Sequence, residues 1–193
     1  FIQENLGDYP HSKMFINYPT YLKNPIYGFN QLPKFFNPFS DIFEWDIKMF
    51  KAISDQYVAK TILTNTREDA WLADGIQIYL MMEYVKKHYP EVKAIGSVSK
   101  KWGIRRYNIA KLEFNGKYPF VYQFSARKEI DQSLIIPTDS LSNLNQKLVN
   151  RYKSGLGLRY LDTYLNENIV KSSLREYYEA NQLKLAKTED FFG

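Results

Sequence analysis

The sequence predicts an α+β fold that is predominantly α-helical, with a small extended layer over about residues 1–38 and a helical lobe over residues 39–193. The first stretch is rich in Tyr, Phe, Pro and Asn, a composition typical of short strands and turns. From Ser40 onward, apolar residues recur at helical spacing. No internal repeat or low-complexity linker divides the sequence, so we expect a single domain over residues 1–193.

Within the extended layer, residues 13–18 form a predicted short strand flanked by turn residues. The first helix is predicted to begin near Asp41, because Asp41 and Glu44 lie three positions apart after a proline. We expect it to continue to about Thr64. Its apolar face is formed by Phe43, Ile47, Phe50, Ile53, Tyr57 and Ile62.

A second helix is predicted to start after Thr66, a candidate cap, and to run to about His88, where Pro90 prevents its continuation. Its Met81 and Met82 are expected in the core. Shorter helical pieces are predicted around residues 104–112 and 120–131, separated by Gly and Pro. Further helices are predicted from Ser140, over residues 169–180 and from about residue 188.

Composition narrows the class of protein. With 193 residues and 45% hydrophobic side chains, the chain can form a sizeable core. The net charge of +5 is spread along the sequence, which indicates a mildly basic solvated surface and no nucleic-acid partner. No run approaches the length of a membrane span. The absence of cysteine excludes disulfides and thiolate metal sites, and it fits cytoplasmic and exported bacterial proteins equally.

Four positions have the spacing of a metallopeptidase site but not its residues. Lys51 and Asp55 lie one helical turn apart on one face, and Asp74 follows nineteen positions after Asp55. This spacing suits two histidine ligands, a general base and a third ligand on a neighbouring helix. Here a lysine ammonium has no lone pair to offer a metal, and Ala52 cannot accept a proton. The residues therefore favour neither zinc binding nor hydrolysis.

The wider sequence resembles the aminopeptidase N type gluzincin metallopeptidases. The run D-A-W-L-A-D-G-I-Q-I-Y-L at 69–80 is similar to the family's W-L-N-E-G-F-A-T-Y-L stretch. Five more segments agree in order and approximate spacing: 6–10 with G-x-Y-P, 24–28 with G-A-M-E-N-W-G, 56–57 with the Q-W after the second histidine, 150–155 with Y-E-K-G, and 174–178 plus 188–191 with the L-x-x-Y … T-x-D-F/L ending.

This resemblance implies a thermolysin-like catalytic domain, normally preceded by a β-rich domain. The zinc motif falls on Lys51, Ala52, Asp55 and Asp74, which we interpret as vestigial metal-site positions. Tyr152 occupies the position of the tyrosine that stabilises the oxyanion, although a packing role is the simpler interpretation. The glutamate that binds the substrate's amino terminus falls at about Pro25, which cannot make that contact.

We expect the Lys51 ammonium to lie near the former metal position and to pair with both Asp55 and Asp74. The only histidines, His11 and His88, lie outside any metal-ligand pattern and are expected to be exposed. The leading hypothesis is thus a catalytically inactive aminopeptidase-like domain without a cofactor.

Its role would be scaffolding, or binding of a peptide or protein. Because the chain begins at Phe1 without Met, we also expect it to be part of a longer polypeptide, the remainder of which is a partner. Two alternatives remain open. One is an active zinc-dependent aminopeptidase whose ligands are unrecognised, and the other is a basic module that binds nucleic acid or a membrane surface.

Overall fold

A computed structural model describes residues 38–58, 61–65, 67–165, 167–187 and 189–192. These residues are mostly helical with very little strand, which confirms the predominantly α-helical prediction. The predicted extended layer, its strand at 13–18, Pro25 and His11 lie outside the described residues, as does the cap Thr66.

Seven α-helices and two short strands form the described part of the chain. The α-helices are α1 (Asp41–Val58), α2 (Ala70–His88), α3 (Asn108–Lys111), α4 (Lys117–Arg127), α5 (Asn150–Leu165), α6 (Glu167–Asn181) and α7 (Glu189–Phe192). The strands are β1 (Leu63–Thr64) and β2 (Leu185–Ala186). Tighter 3-10 turns occupy Gly96–Lys100, Phe114–Gly116 and Thr138–Ser140, and a π-helical turn spans Asn145–Val149.

Helix α1 begins at Asp41, as predicted, and Ser40 caps it. The Ser40 hydroxyl accepts a hydrogen bond from the backbone N–H of Phe43 at 3.3 Å, which satisfies a donor that the first turn leaves without a helical partner. The prediction that this helix continues to Thr64 is wrong, since it ends at Val58.

The chain after α1 forms part of a small parallel sheet. Leu63 pairs with Leu185 and Thr64 with Ala186, and just before them the carbonyl of Thr61 accepts the N–H of Leu183 at 2.7 Å. These backbone bonds to a distant part of the chain replace the helical bonds that the apolar spacing predicted. Helix α2 ends at His88, in agreement with prediction.

Helices α2 and α5 approach each other closely because each has a glycine at the contact. A Cβ placed on Gly75 would lie 1.9 Å from the Ser154 hydroxyl oxygen, and one on Gly155 would lie 2.5 Å from Cγ2 of Ile78. The Ser154 hydroxyl also donates a 2.7 Å hydrogen bond to the carbonyl of Trp71. The relative position of the two helices is therefore fixed by backbone proximity and by one buried hydroxyl.

Two apolar clusters form the core on either side of α2. The first joins α1, α2, α5, α6 and β2 through Val58, Ile62, Leu72, Ile76, Tyr79, Leu158, Val170, Tyr177 and Ala186. The second joins α1 and α2 to the 3-10 turn before α4 through Phe39, Phe43, Ile47, Met81, Val85 and Phe114. Met81 and Met82 are 5% and 1% exposed, which confirms that they are core residues.

The shorter helices differ from prediction mainly at their ends. The piece expected at 104–112 is the single turn α3, and the piece expected at 120–131 is α4, which begins earlier and ends earlier. Pro119 lies in the first turn of α4, where a missing backbone N–H costs no helical bond, so it does not separate helices as expected. The helix predicted over 169–180 is confirmed as part of α6.

The helical run predicted from Ser140 is a 3-10 turn followed by a π-helical turn that leads into α5. Asn145 at the start of the π turn is 1% exposed. Its Nδ2 donates to the Ile130 carbonyl at 2.8 Å, and its Oδ1 accepts the N–H of Gln132 at 3.0 Å. This one side chain thus attaches the loop after α4 to the start of α5. In the described part of the chain, no helix has the length and apolar content needed to cross a membrane.

We predict that Gly75→Ala lowers the free energy of unfolding by about 1–3 kcal/mol, the cost of inserting a methyl group into a packed contact. Urea denaturation at constant m-value would measure the change. Gly157→Ala on α5 is the matched control, because nothing lies within 4 Å of its added Cβ. That substitution should stabilise the helix by about 0.5–1 kcal/mol. Equal effects of the two substitutions would contradict the close approach of α2 and α5.

Candidate functional site

The structure brings the predicted site positions together from three packed helices. Lys51, Ala52 and Asp55 lie on α1, Asp74 lies on α2, and Tyr152 lies on α5. Helix α2 packs against both α1 and α5, so it stands between the other two. The spacing argument therefore identified positions that share one region of the fold.

A hydrogen-bonded chain links the three helices at this point. Nη2 of Arg151 forms an ion pair with Oδ1 of Asp74 at 3.0 Å and donates to Oε1 of Gln77 at 2.7 Å. Nε2 of Gln77 in turn donates to the backbone carbonyl of Lys51 at 3.3 Å. The arrangement connects α5 to α2 and α2 to α1 through polar contacts. We call Lys51, Asp55, Asp74, Gln77 and Arg151 the charged cluster.

The expected contact between the Lys51 ammonium and Asp74 needs correction, since the cation that pairs with Asp74 is Arg151. Among the described residues, no ion pair within 4.0 Å joins Lys51 to Asp55 or Asp74. The physical reason is reach and geometry. A planar guanidinium on the adjoining helix can contact Asp74 and Gln77 at once, whereas an ammonium is a point charge at the end of a flexible stem.

Lys51 nevertheless interacts with the cluster through space. Although part of its surface is exposed, the surrounding protein removes enough water to lower its pKa from the usual 10.5. The positive charge of Arg151 lowers the pKa further, and the carboxylates of Asp55 and Asp74 oppose the change. The Lys51 ammonium is thus repelled by one guanidinium and attracted by two carboxylates.

Asp74 has a raised pKa, and the main cause is also loss of hydration. The nearby Asp55 carboxylate acts in the same direction. The charge and hydrogen bond of Arg151, together with the charge of Lys51, act in the opposite direction without cancelling the shift. Desolvation therefore outweighs the ion pair at this carboxylate.

A second group of side chains adjoins the cluster on α4 and α5. The ammonium of Lys117 lies 3.5 Å from the ring centre of Phe114 and 4.9 Å from that of Tyr118. Burial lowers the pKa of Lys117 well below its usual value, and the charge of Lys51 adds to the shift. Tyr118 then meets Tyr152 edge to face with the ring centres 4.8 Å apart.

Tyr152 is therefore packed within an aromatic pair next to the charged cluster, as its packing interpretation predicts. Burial raises the pKa of its hydroxyl from 10.0, and the neighbouring Arg151 opposes that shift. A phenol with a raised pKa stays protonated at neutral pH and can donate a hydrogen bond. Its catalytic role stays a prediction implied by the family resemblance.

The residues at the positions where the family resemblance places a metal site do not fit zinc. Lys51 offers an ammonium, Ala52 offers a methyl group, and Asp74 already faces Arg151. Within the part of the chain that the structure describes, no group of three or more His, Cys, Asp or Glu side chains could hold a metal ion. His88 is exposed at the end of α2, as expected, with its ring 4.6 Å from that of Tyr84.

A small cavity adjoins the Asp74–Arg151 pair, between α2, the π-helical turn and the loop before it. Its volume is about 160 Å³. The apolar part of its wall is formed by Ala70, Trp71, Leu134, Ile136 and Leu141, and the polar part by Glu68, Asp74, Thr138, Gln146, Asn150 and Arg151. Arg151 thus lines a cavity with both apolar and polar walls.

Three residues of this region were missed by sequence reasoning. Gln77 lies three positions after Asp74 and so on the same helical face, and Arg151 directly precedes Tyr152. Their positions relative to predicted site residues could therefore have identified both of them. Lys117 could not have been identified in this way, because no motif or spacing connects it with the other positions. Only the folded arrangement shows that α4 brings this lysine near Lys51.

We predict opposite pH dependences for two aspartate substitutions. Because the pKa of Asp74 is raised above 3.8 in the folded state, its ionisation lowers stability. The unfolding free energy of the wild type minus that of Asp74→Asn should therefore fall as the pH rises from 3.8 through the raised pKa. Urea denaturation across the acidic range would measure this difference.

Asp46 provides the control with the opposite sign. Hydrogen bonds from the hydroxyls of Tyr89 and Tyr84 lower its pKa below 3.8, so its ionised form stabilises the fold. The unfolding free energy of the wild type minus that of Asp46→Asn should have its full value above pH 3.8. This difference should be lost as the pH falls through the lowered pKa of Asp46. If the free-energy difference changed with pH in the same direction for both substitutions, Asp74 would not be desolvated in the folded state.

No protein-family model, curated protein or solved structure matches the chain. Its function is therefore inferred from its own residues and their geometry.

Proposed function

We propose that the chain is a catalytically inactive, aminopeptidase-like domain with a thermolysin-like gluzincin fold, and that it binds a peptide or protein segment. The convergence of Lys51, Asp55, Asp74 and Tyr152 supports this proposal. If the sequence match were due to chance, these positions would not be expected to lie on three adjoining helices. The order of the six similar segments supports it independently.

The observation that carries the proposal is the ion pair between Asp74 and Arg151 at 3.0 Å. Asp74 has the position of the third metal ligand, and its carboxylate faces a guanidinium instead of a metal. Lys51, at the first ligand position, adds a second cation within interacting distance. Arg151, held by Asp74 and Gln77, and the nearby Lys51 would thus supply positive charge where the gluzincins that the sequence resembles hold zinc.

Zinc-dependent hydrolysis of the gluzincin type requires a metal-bound water and a general base directly after the first metal ligand. Ala52 has no acceptor atom, and a protonated lysine at position 51 has none either. The Tyr152 hydroxyl can donate a hydrogen bond to a peptide carbonyl, which favours binding without reaction. The remainder of a longer polypeptide, including a β-rich domain, is the other partner that we propose.

We predict that the protein holds no stoichiometric zinc after exposure to zinc and dialysis, as measured by elemental analysis. Aminoacyl fluorogenic substrates should be released no faster than in a protein-free blank. Tightly held zinc together with chelator-sensitive hydrolysis would overturn the proposal. Such a result would favour an active aminopeptidase with other ligands.

Restoring the ligands tests the proposed fold type separately from the loss of activity. We expect the combined substitutions Lys51→His, Ala52→Glu, Asp55→His and Asp74→Glu to produce one bound zinc per chain. The control carries the same changes except that Lys51 is retained, which leaves an ammonium without a lone pair at the first ligand position and should abolish tight binding. A folded fourfold variant that gains no zinc would show that these positions do not have gluzincin geometry.

A further inference from the structure

Residues 100–111 carry a local surplus of positive charge. The segment K-K-W-G-I-R-R-Y-N-I-A-K contains five basic residues and no acidic residue. The whole chain contains 26 basic and 21 acidic residues, so the two signs are equal in number outside this segment. Basic residues thus occur along the whole sequence, but the rest of the chain is electrically balanced. We call residues 100–111 the basic loop.

The basic side chains of this loop have no acidic partner. All five are exposed, and among the described residues no ion pair within 4.0 Å involves any of them. The nearest acidic residues along the sequence, Glu91 and Glu113, lie outside the loop on either side. The loop therefore presents its positive charge to solvent without internal compensation. The five residues are Lys100, Lys101, Arg105, Arg106 and Lys111.

Large apolar side chains of the same loop are also exposed. Trp102 is 73% exposed, Tyr107 67% and Ile109 46%. The guanidinium of Arg106 lies over the ring of Trp102, 5.6 Å from its centre, so charged and aromatic groups adjoin directly. Three such side chains within eight residues, rimmed by cations, indicate a surface that another molecule covers.

Backbone hydrogen bonds hold the basic loop in a defined shape. Its turns are closed by local bonds, such as that from the N–H of Arg105 to the carbonyl of Lys101 at 2.9 Å. At the base of the loop, the N–H of Ala94 donates to the carbonyl of Leu112 at 2.8 Å, which brings the two ends together. Because this shape exists before binding, little order has to be imposed on the loop by a partner.

The chemistry of the loop favours an anionic lipid surface over a nucleic acid. Trp and Tyr beside Lys and Arg are typical of protein surfaces that lie at the level of lipid headgroups. Ile109 has no ring on which a base could stack, whereas its apolar side chain suits the boundary between headgroups and acyl chains. The Trp102 ring, which could stack on a base, is already in contact with Arg106.

We propose that the basic loop binds the surface of a membrane that contains anionic lipids. Its Lys and Arg side chains contact the headgroup phosphates and carboxylates, and Trp102, Tyr107 and Ile109 lie among the headgroups. The contact is peripheral, with no segment of the described chain crossing the membrane. This inference goes beyond the proposed peptide-binding function and stands independently of it, because none of its residues belongs to the charged cluster.

The first test measures binding of the chain to lipid vesicles by cosedimentation at about 0.1 M salt. Vesicles of phosphatidylcholine with about 30% phosphatidylserine should bind the protein at least about tenfold more tightly than vesicles of phosphatidylcholine alone. This expectation follows because each basic side chain near an anionic surface strengthens binding about fivefold. Equal binding to both kinds of vesicle, or no binding to the anionic vesicles, would overturn the proposal.

A pair of charge-matched variants locates the contact. The double substitution Arg105→Gln and Arg106→Gln should weaken binding to the anionic vesicles by at least about tenfold. The control, Arg127→Gln with Lys128→Gln, also removes two charges from adjacent exposed positions, here at the end of α4. It should change binding by less than about threefold. Equal losses in the two variants would show that net charge, not the basic loop, determines binding.

Tryptophan fluorescence tests the apolar part of the contact. The emission of the wild type should shift to shorter wavelength on binding, because Trp102 leaves water. Trp102→Ala should lose this shift and bind several-fold more weakly. A shift that persists in Trp102→Ala would arise from the less exposed Trp45 or Trp71 and would contradict the placement of Trp102 among the headgroups.

Competition distinguishes a membrane from a nucleic acid. A single-stranded DNA oligonucleotide, added at the same phosphate concentration as the anionic lipid, should leave the protein on the vesicles. Displacement of the protein by the oligonucleotide would reject the lipid surface as the partner and identify the basic loop as a nucleic-acid contact.

Discussion

The close packing of α2 against α5 is the constraint on which the rest of the described structure depends. Gly75 and Gly155 remove the side chains that would separate the two helices, and the Ser154 hydroxyl bonds to the backbone of Trp71 at 2.7 Å. This contact places Asp74 within ion-pair distance of Arg151. With this packing, one face of α2 lies against α5 and another lies against α1. Helix α2 therefore contributes residues to both apolar clusters.

The charged cluster fixes the relative positions of α1, α2 and α5 more than it stabilises the fold. The pKa of Asp74 stays raised even though a guanidinium lies 3.0 Å away, which means that loss of hydration exceeds the gain from pairing. Ion pairs with little exposure commonly behave in this way. Their contribution is directional, since the hydrogen bonds of Arg151 and Gln77 fix the relative rotation of three helices. Apolar burial in the two clusters is the main source of stability.

Sequence reasoning located the main helices because their apolar spacing and stop signals are local. It placed the end of α2 at His88 and the start of α1 at Asp41 correctly. It failed at Leu63 and Thr64, whose partners in β2 lie far along the chain and leave no local signal. The ion pair was assigned to Lys51 instead of Arg151 for a related reason. Spacing along one helix shows which residues share a face. It does not show which side chain of a neighbouring helix pairs with them.

The pairing of Arg151 with both Asp74 and Gln77 also limits how this part of the chain can change. One guanidinium nitrogen serves both acceptors, so loss of the arginine would remove the partner of a carboxylate and of an amide oxygen at the same time. Loss of Asp74 alone would leave a partly buried guanidinium without its counter-ion. The three positions are therefore coupled, and a substitution at one of them is tolerated best when the others change with it.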